Sequence, residues 1–578
     1  MDALERGERA PLRPESQGPK VQEDDSLQLQ VPLLKHKKRG GSKAPAVILL
    51  FECLESTAFN GISTNLVVYL ETVLHGTNLA SASNVATWFG TSYLTPVFGA
   101  IIADTFWGNY NTILVSLVVY LLGMMLVTFS AFVPTTTPAL CVAGASCTGT
   151  AGTWGLSSQI VAFVGLYLVA IGCGGVRSSL LPFGAEQFDD DSAADREGKT
   201  FFFSWFYLCV SFGPIISGVF LVWIQQNVSW GLGFGIATAC IALAFAAFVL
   251  ATPLYKRRMP AGTPLKSLYQ VVAAACKKIS VKPAEAGHLY EVSDKIDSPQ
   301  PKIAHTSDFK FLDKAAIVTE SDMEERPEAA TSWKLCTVTQ VEELKILLRL
   351  LPVWITSVIM SSAFSQMNTT FVQQGSAMEM TILSVPVPAA SLASFEVICV
   401  MTWVLLYNKV IVPALRSFST SDDGEPIPLQ RMGAGRLLMA LTMAVAALVE
   451  MKRLDSAARG EEISISWQLP QYFFLAGGEV FCYIAQLEFF FDEAPDTMKS
   501  MCTSLALLTI ALGSYMSSFI YAIVEAFTAT GDSPGWISDD LNKGHLDYFF
   551  WAMAAMCTLN FVVYSGIVKN YRLKTVIP

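Results

Sequence analysis

What this sequence lacks most is charge. Only 15% of its 578 residues are Asp, Glu, Lys or Arg, where a soluble domain carries about 25%. A chain this long without a polar coat is not an ordinary soluble enzyme. Basic residues are the scarcer sign, 39 against 49 acidic, giving a formal net charge of −10. A nucleic-acid binder would carry a basic face instead. Histidine is nearly missing, with five in all, and no pair of cysteines stands at zinc-ligand spacing with one. No nucleophile–base set stands out, and Gly231-Leu-Gly-Phe-Gly235 is too short and wrongly placed for a dinucleotide loop. These absences argue against an enzyme and imply no cofactor, no metal and no nucleic-acid partner.

What is present is apolar. Hydrophobic residues make up 52% of the chain and aromatics 11%, in runs long enough to cross a bilayer, which takes about 20 residues. A polar tail, 1–44, ends in the basic run Lys35 to Arg39. Six spans follow at 46–70, 82–103, 110–133, 156–181, 199–224 and 232–252. After a polar stretch, six more come at 344–372, 386–408, 431–451, 467–492, 500–526 and 546–568. The expected organisation is therefore a tail (1–44), an N-terminal six-helix bundle (45–252), a central loop (253–343), a C-terminal six-helix bundle (344–568) and a second tail (569–578).

Loop charge sets the orientation. The central loop carries Lys256, Arg257, Arg258, Lys266, Lys277 and Lys278, and the C-terminal tail Lys569, Arg572 and Lys574. Loops 134–155, 225–231 and 373–385 have no Lys or Arg. Both tails and the central loop are thus expected in the cytoplasm. The twelve cysteines lie mostly inside apolar runs, where they act as small hydrophobes. Cys141 and Cys147 differ, since they sit in an outside loop where a local disulfide is open to them.

Pro96, Pro182, Pro214, Pro352 and Pro470 fall in or beside the spans, and Gly172, Gly174 and Gly175 cluster in the fourth. They mark either packing kinks or the broken helices that line transporter pathways. Ionisable residues inside the hydrocarbon cost several kcal/mol and mark function by default. Glu52 and Glu55 lie on one face of the first span, Arg177 in the fourth, Glu396 in the eighth and Glu479 in the tenth. Desolvated carboxylates are natural proton carriers, whereas a guanidinium keeps its proton and suits an anion or an acid partner. The alternative is that these charges only fix helix–helix contacts.

The order of motifs resembles the proton-coupled oligopeptide transporters, in the plant nitrate/peptide transporter branch of the major facilitator superfamily. Residues 40–570 are covered. The stretch from Trp467-Gln-Leu-Pro-Gln-Tyr472 through Gly478-Glu479 to Gln486-Leu-Glu-Phe489 and Ala494-Pro495 carries most of it. Phe183-Gly-Ala-Glu-Gln-Phe-Asp189, Phe206-Tyr207, Asp539-Asp-Leu-Asn542 and Val338 to Lys345 add to it. The resemblance implies an all-α membrane protein of twelve transmembrane helices in two six-helix bundles.

It also implies site residues. Glu52 and Glu55 match the first two acids of the family's E-x-x-E-R/K proton motif, but Ser56 stands where its cation should be. Arg177 takes the place of the fourth-span lysine, and Glu479 that of the acid that holds a peptide amino terminus. Phe59 and Asn60 replace two tyrosines, Asn109 an arginine after Gly108, and Ser211 an asparagine. Ser365 stands where several relatives carry an acid, and Phe364 where nitrate-transporting relatives carry a histidine. The substrate-binding set implied is Arg177, Glu479, Asn60, Gln366 and Ser365, with Glu52 and Glu55 for protons. Replacing Ser56 with Arg is expected to raise pH dependence if the proton site is otherwise whole.

The implied partners are the lipid bilayer, a small-molecule substrate and protons. Di- and tripeptides lead. A non-peptide organic solute such as a glycoside, hormone or specialised metabolite, not necessarily proton-coupled, and nitrate are alternatives. A non-transporting sensor is the reading from another class. Leu33-Leu34 has Leu29 where acidic di-leucine sorting needs an acid, which favours the plasma membrane over the vacuolar one.

Overall fold

A computed structural model describes residues 43–132, 151–188, 193–257, 265–279, 290, 305–306, 308–318, 333, 335–382, 385–413, 428–493, 499–529 and 535–571. Residues 1–42, with Leu33-Leu34, and 572–578, together with Asp189, Cys141, Cys147, Arg258 and Ala494-Pro495, lie outside them.

Eleven helical stretches are long and apolar enough to cross a membrane, but one of them, Asn78–Phe132, has 55 residues. A single helix of that length would run about 80 Å, well over twice the hydrocarbon thickness. Contacts with the fourth span, Ala151–Ala185, divide it. From Trp88 on Leu166, through Thr95 on Ala170, to Gly99 on Gly175, residue numbers rise together, so the two helices run parallel. From Ser116 on Gly175, through Tyr120 on Gly172, to Val127 on Gly165, they run in opposite senses. The chain reverses at Gly108, whose φ of 71° lies in the left-handed region that glycine adopts without strain. The second span is therefore Asn78–Ile102, the third Gly108–Phe132, and the total twelve.

The glycine cluster does not break the fourth span. It lets that span approach its neighbours: a Cβ on Gly172, Gly174 or Gly175 would lie 2.5, 2.2 or 2.0 Å from Tyr120, Thr95 or Ser116. Pro470 likewise sits in the first turn of its helix, where its missing N–H costs nothing. The real interruptions fall in the first and seventh spans, the opening helix of each half. The first divides into Lys43–Ser63 and Leu66–Thr72. The seventh divides into Val338–Phe364 and Thr370–Ser376 around a 3₁₀ turn, Ser365–Asn368.

Side-chain amides satisfy both breaks, as backbone inside a bilayer requires. At the first, Gln225 Nε2 donates to the Gly61 carbonyl, and Gln225 and Gln226 bond Asn65. At the seventh, Gln366 Nε2 donates to Ser362 O and Ser517 Oγ, while its oxygen accepts from Thr370 and from Tyr521 at 2.6 Å.

Bonds between the halves lie toward the end of the bundle away from the central loop. Gln373 donates to Glu71 at 2.6 Å, Asn78 to Asp539, and Ser394 to the Pro214 carbonyl; Ser83 meets Ser518, and Thr91 meets Tyr515. In the central loop, the helix Leu265–Lys277 packs Leu268 on one cluster and Val271 and Ala274 against Val341 at the base of the seventh span.

Candidate functional site

Two clusters of ionisable groups sit deep in the spans, one in each half. In the N-terminal cluster, Glu52 and Glu55 fall one turn apart on the first span, and both are buried. The close approach of the fourth span brings Arg177 to Glu55, with Nε 3.3 Å from Oε1 and Nη2 3.5 Å from Oε2. Tyr120 donates to the same carboxylate at 3.3 Å, and Cys173 lies 3.6 Å away. The guanidinium rests 3.9 Å over the Phe59 ring, which stacks on Trp88. Arg177 keeps 27% of its side-chain surface accessible while Glu55 keeps 1%. The cation is therefore bonded to Glu55 yet partly accessible. Glu52 has no hydrogen-bond partner among the described residues.

Ser56 points away from this cluster. Its hydroxyl donates to the Val210 carbonyl at 3.0 Å, and a Cβ on Gly213 would lie 2.2 Å from that oxygen. An arginine here would have to displace the fifth span, so Ser56→Arg cannot simply restore the missing cation. Asn60 is half-buried, and its amide nitrogen donates to the Ser56 carbonyl.

In the C-terminal cluster, Glu479 ends the helix Leu469–Glu479, just before a π-helical turn, Val480–Ile484. Glu396, on the eighth span, Leu392–Leu406, lies within electrostatic reach of it and is buried with Oε1 unpartnered among the described residues. A Cβ on Gly477 would lie 2.7 Å from Trp403, and this tight packing lets the two helices meet. Phe364 packs edge-on against Tyr483, which donates to Ser361 at 3.0 Å. Tyr93 of the second span lies within electrostatic reach of both Arg177 and Glu479. Ser365 is buried, and its carbonyl accepts from Thr369. Gln366 is fully buried with both ends of its amide bonded.

Two ionic features escaped the sequence reading. Arg436 on the ninth span, Pro428–Ala458, is 1% exposed, and no carboxylate contacts it among the described residues. It bonds Thr356, Ser357, the Met432 carbonyl and Cys482, and lies over the Tyr564 ring. Further out, Arg453 pairs with Glu450 at 2.6 Å, and Glu450 also accepts from Gln374. A ninth span ended at residue 451 hides Arg453; only the longer helix brings it inside. Among the described residues one grouping has metal-ligand composition, His305, Asp313 and Glu342, but Lys345 Nζ sits 2.6 Å from Asp313 and 2.8 Å from Glu342. The chain supplies its own cation there.

A model described as the POT family matches residues 110–537. Protein NRT1/PTR FAMILY 8.3 of Arabidopsis thaliana is 46% identical over 549 residues, 93% of each chain. The chain belongs to the POT family. Protein NRT1/PTR FAMILY 8.5 of the same plant is 43% identical, over 96% of this chain and 93% of its own. An auto-inhibited POT family peptide transporter shares the fold at a TM-score of 0.69 and 21% identity, over 93% of this chain and 99% of that one. The POT family transporter PepTSo follows at 0.68 and 18%, over 92% and 98%. The protein is a multi-pass integral membrane transporter with the major facilitator fold, and its family is one of transporters, not enzymes.

Proposed function

We propose that this POT family member carries di- and tripeptides across the plasma membrane by alternating access, coupled to protons through Glu55 and Glu52. The Arg177–Glu55 pair carries this reading. A peptide carboxylate needs a cation, and Arg177 is the one at the site, partly accessible but with Glu55 already bonded. Protonating Glu55 weakens that bond and frees the guanidinium for the substrate, which couples proton and substrate without a cation at position 56. Glu479 takes the peptide amino terminus, with Asn60 and Ser365 at the margin of the site. Gln366, with its amide committed, braces the break in the seventh span. Bonds joining the outer ends of the halves suit an inward-facing state.

The test is uptake of Ala-Ala into proteoliposomes with and without an imposed inward proton gradient. Uptake that rises with the gradient, and loses that rise in Glu55→Gln, is expected. Gradient-independent uptake sinks the coupling, and no Ala-Ala uptake sinks the peptide reading. A second reading, a non-peptide organic solute, is favoured by Phe59 and Phe364, which stand where the family resemblance implies a tyrosine and, in nitrate-transporting relatives, a histidine. A screen of glycosides in the same liposomes addresses it.

A further inference from the structure

At the end of the bundle away from the central loop, two short segments of the C-terminal half hold the N-terminal half. One is the helix beyond the break in the seventh span, Thr370–Ser376, where Gln373 Nε2 donates to Glu71 at 2.6 Å and to the Asn78 carbonyl at 2.7 Å. The other is 538–539, ahead of the twelfth span. There Asp539 accepts from the Asn78 amide at 2.9 Å, and the Ser538 carbonyl accepts from the Asn78 side chain at 2.9 Å. Asn78 is the first residue of the second span, so its amide has no partner within its own helix. Asp539 supplies that partner from the opposite half.

Both segments lead back to one ion pair on the ninth span, Glu450 at 0% and Arg453 at 2% exposure. Gln374, next to Gln373, donates to Glu450 at 2.9 Å and accepts from Gln468 and Gln471 of the tenth span. Arg453 Nη1 donates to Asn542 Oδ1 at 2.6 Å and Nη2 to the Leu541 carbonyl at 3.0 Å, just after Asp539 in the chain. Pulling either segment off the pair would strand a buried polar group, whereas the Asn78–Asp539 bond is exposed and water can replace it. A buried ion pair adds little stability over apolar packing of the same volume, so stability alone does not account for this one.

We propose that Glu450 and Arg453 position a gate between the halves. The pair holds Gln373 and 538–539 as one block, so this end opens by parting Asn78 from Asp539 and not by loosening the C-terminal half. Both are positioning residues in the transport cycle, and the inference does not depend on which solute is carried.

The test is the distance, by pulsed electron paramagnetic resonance, between nitroxide amino acids built in at Val228 and Glu461 of the full-length protein in nanodiscs. Both positions are exposed, at this end of opposite halves. Gln374→Ala and Asn542→Ala each cut one tie to the pair while leaving Glu450 bonded to Arg453. Each should raise the ratio of wide to narrow distances about fivefold, the effect of one hydrogen bond. Gln373→Ala and Asp539→Ala, which cut the gate itself, should do the same. Asp539→Ala combined with Asn542→Ala should widen less than the two effects together, because both act on one contact. Asn542→Asp keeps an oxygen for Arg453 and should hold the parent ratio. So should Arg436→Leu, a buried cation of the same half none of whose bonds reaches the gate. The proposal is overturned if Gln374→Ala and Asn542→Ala both keep the parent ratio, if the double variant is fully additive, or if Asn542→Asp or Arg436→Leu widens the distances as much. Should one of the two tie variants fail to fold, the other decides alone.

Discussion

The two halves handle buried charge differently. The N-terminal half sets opposite signs against each other, Arg177 on Glu55, and leaves the cation partly open. The C-terminal half places two acids near each other, Glu396 and Glu479, and surrounds a separate guanidinium, Arg436, with hydroxyls, a carbonyl and a ring. An opposite-sign pair is released by protonating its acid. A hydroxyl-solvated cation has no such release and is better suited to fixing helices. The difference separates residues built to exchange partners from residues built to stay.

The comparison can be broken first at Arg453. Removing it by Arg453→Ala leaves Glu450 buried and unpaired, and should cost about 3–5 kcal/mol of stability, read as a large fall in thermal midpoint in detergent. Next is Arg177→Met, which removes a charge-assisted bond of about 1.5–3 kcal/mol. Peptide affinity should fall roughly 10- to 150-fold in a binding assay, with Arg177→Lys recovering part of it. Gly213→Ala pushes a methyl into Ser56 and should cost about 1–3 kcal/mol by overpacking; Ser56→Arg should lower the folded yield rather than gain pH dependence.

Arg436→Leu sharpens the contrast, because it strands no carboxylate. Thr356 and Ser357 still donate to the Val353 carbonyl, so the expected change is within about 1 kcal/mol. A loss as large as that of Arg453→Ala would point to an acid partner. The smallest effect is outside the membrane. The Lys543 hydrogen bond, then the Asn542 amide, hold the Asp540 carboxyl below its usual range. A lowered value means the contact is present at neutral pH and is lost as pH falls through that value. Asp540→Asn should lower the neutral-pH midpoint slightly and leave the acid-pH midpoint unchanged, which flattens the acid limb of the melting curve.

Glu52, Glu55, Arg177, Glu396 and Glu479 were legible because charge in an apolar run is costly and stands out. Tyr93 and Tyr483 were not, since an aromatic residue in an apolar span looks like any core residue. Gln366 was legible as polar, but its saturation by Ser517, Tyr521 and Thr370 comes from residues far away in sequence. For Pro470 and the glycines of the fourth span the sequence left packing and breakage both open, and the fold makes them a helix start and a packing seam.

By itself the sequence determined the twelve apolar spans and part of the set of charges inside them, passing over Arg436, Glu450 and Arg453, because hydropathy is a local property. Which acid Arg177 faces, that Glu396 lies near Glu479, and that Ser56 turns towards Gly213 were decided only by tertiary structure. Those pairings depend on distances between helices, which are set where glycines let backbones come close.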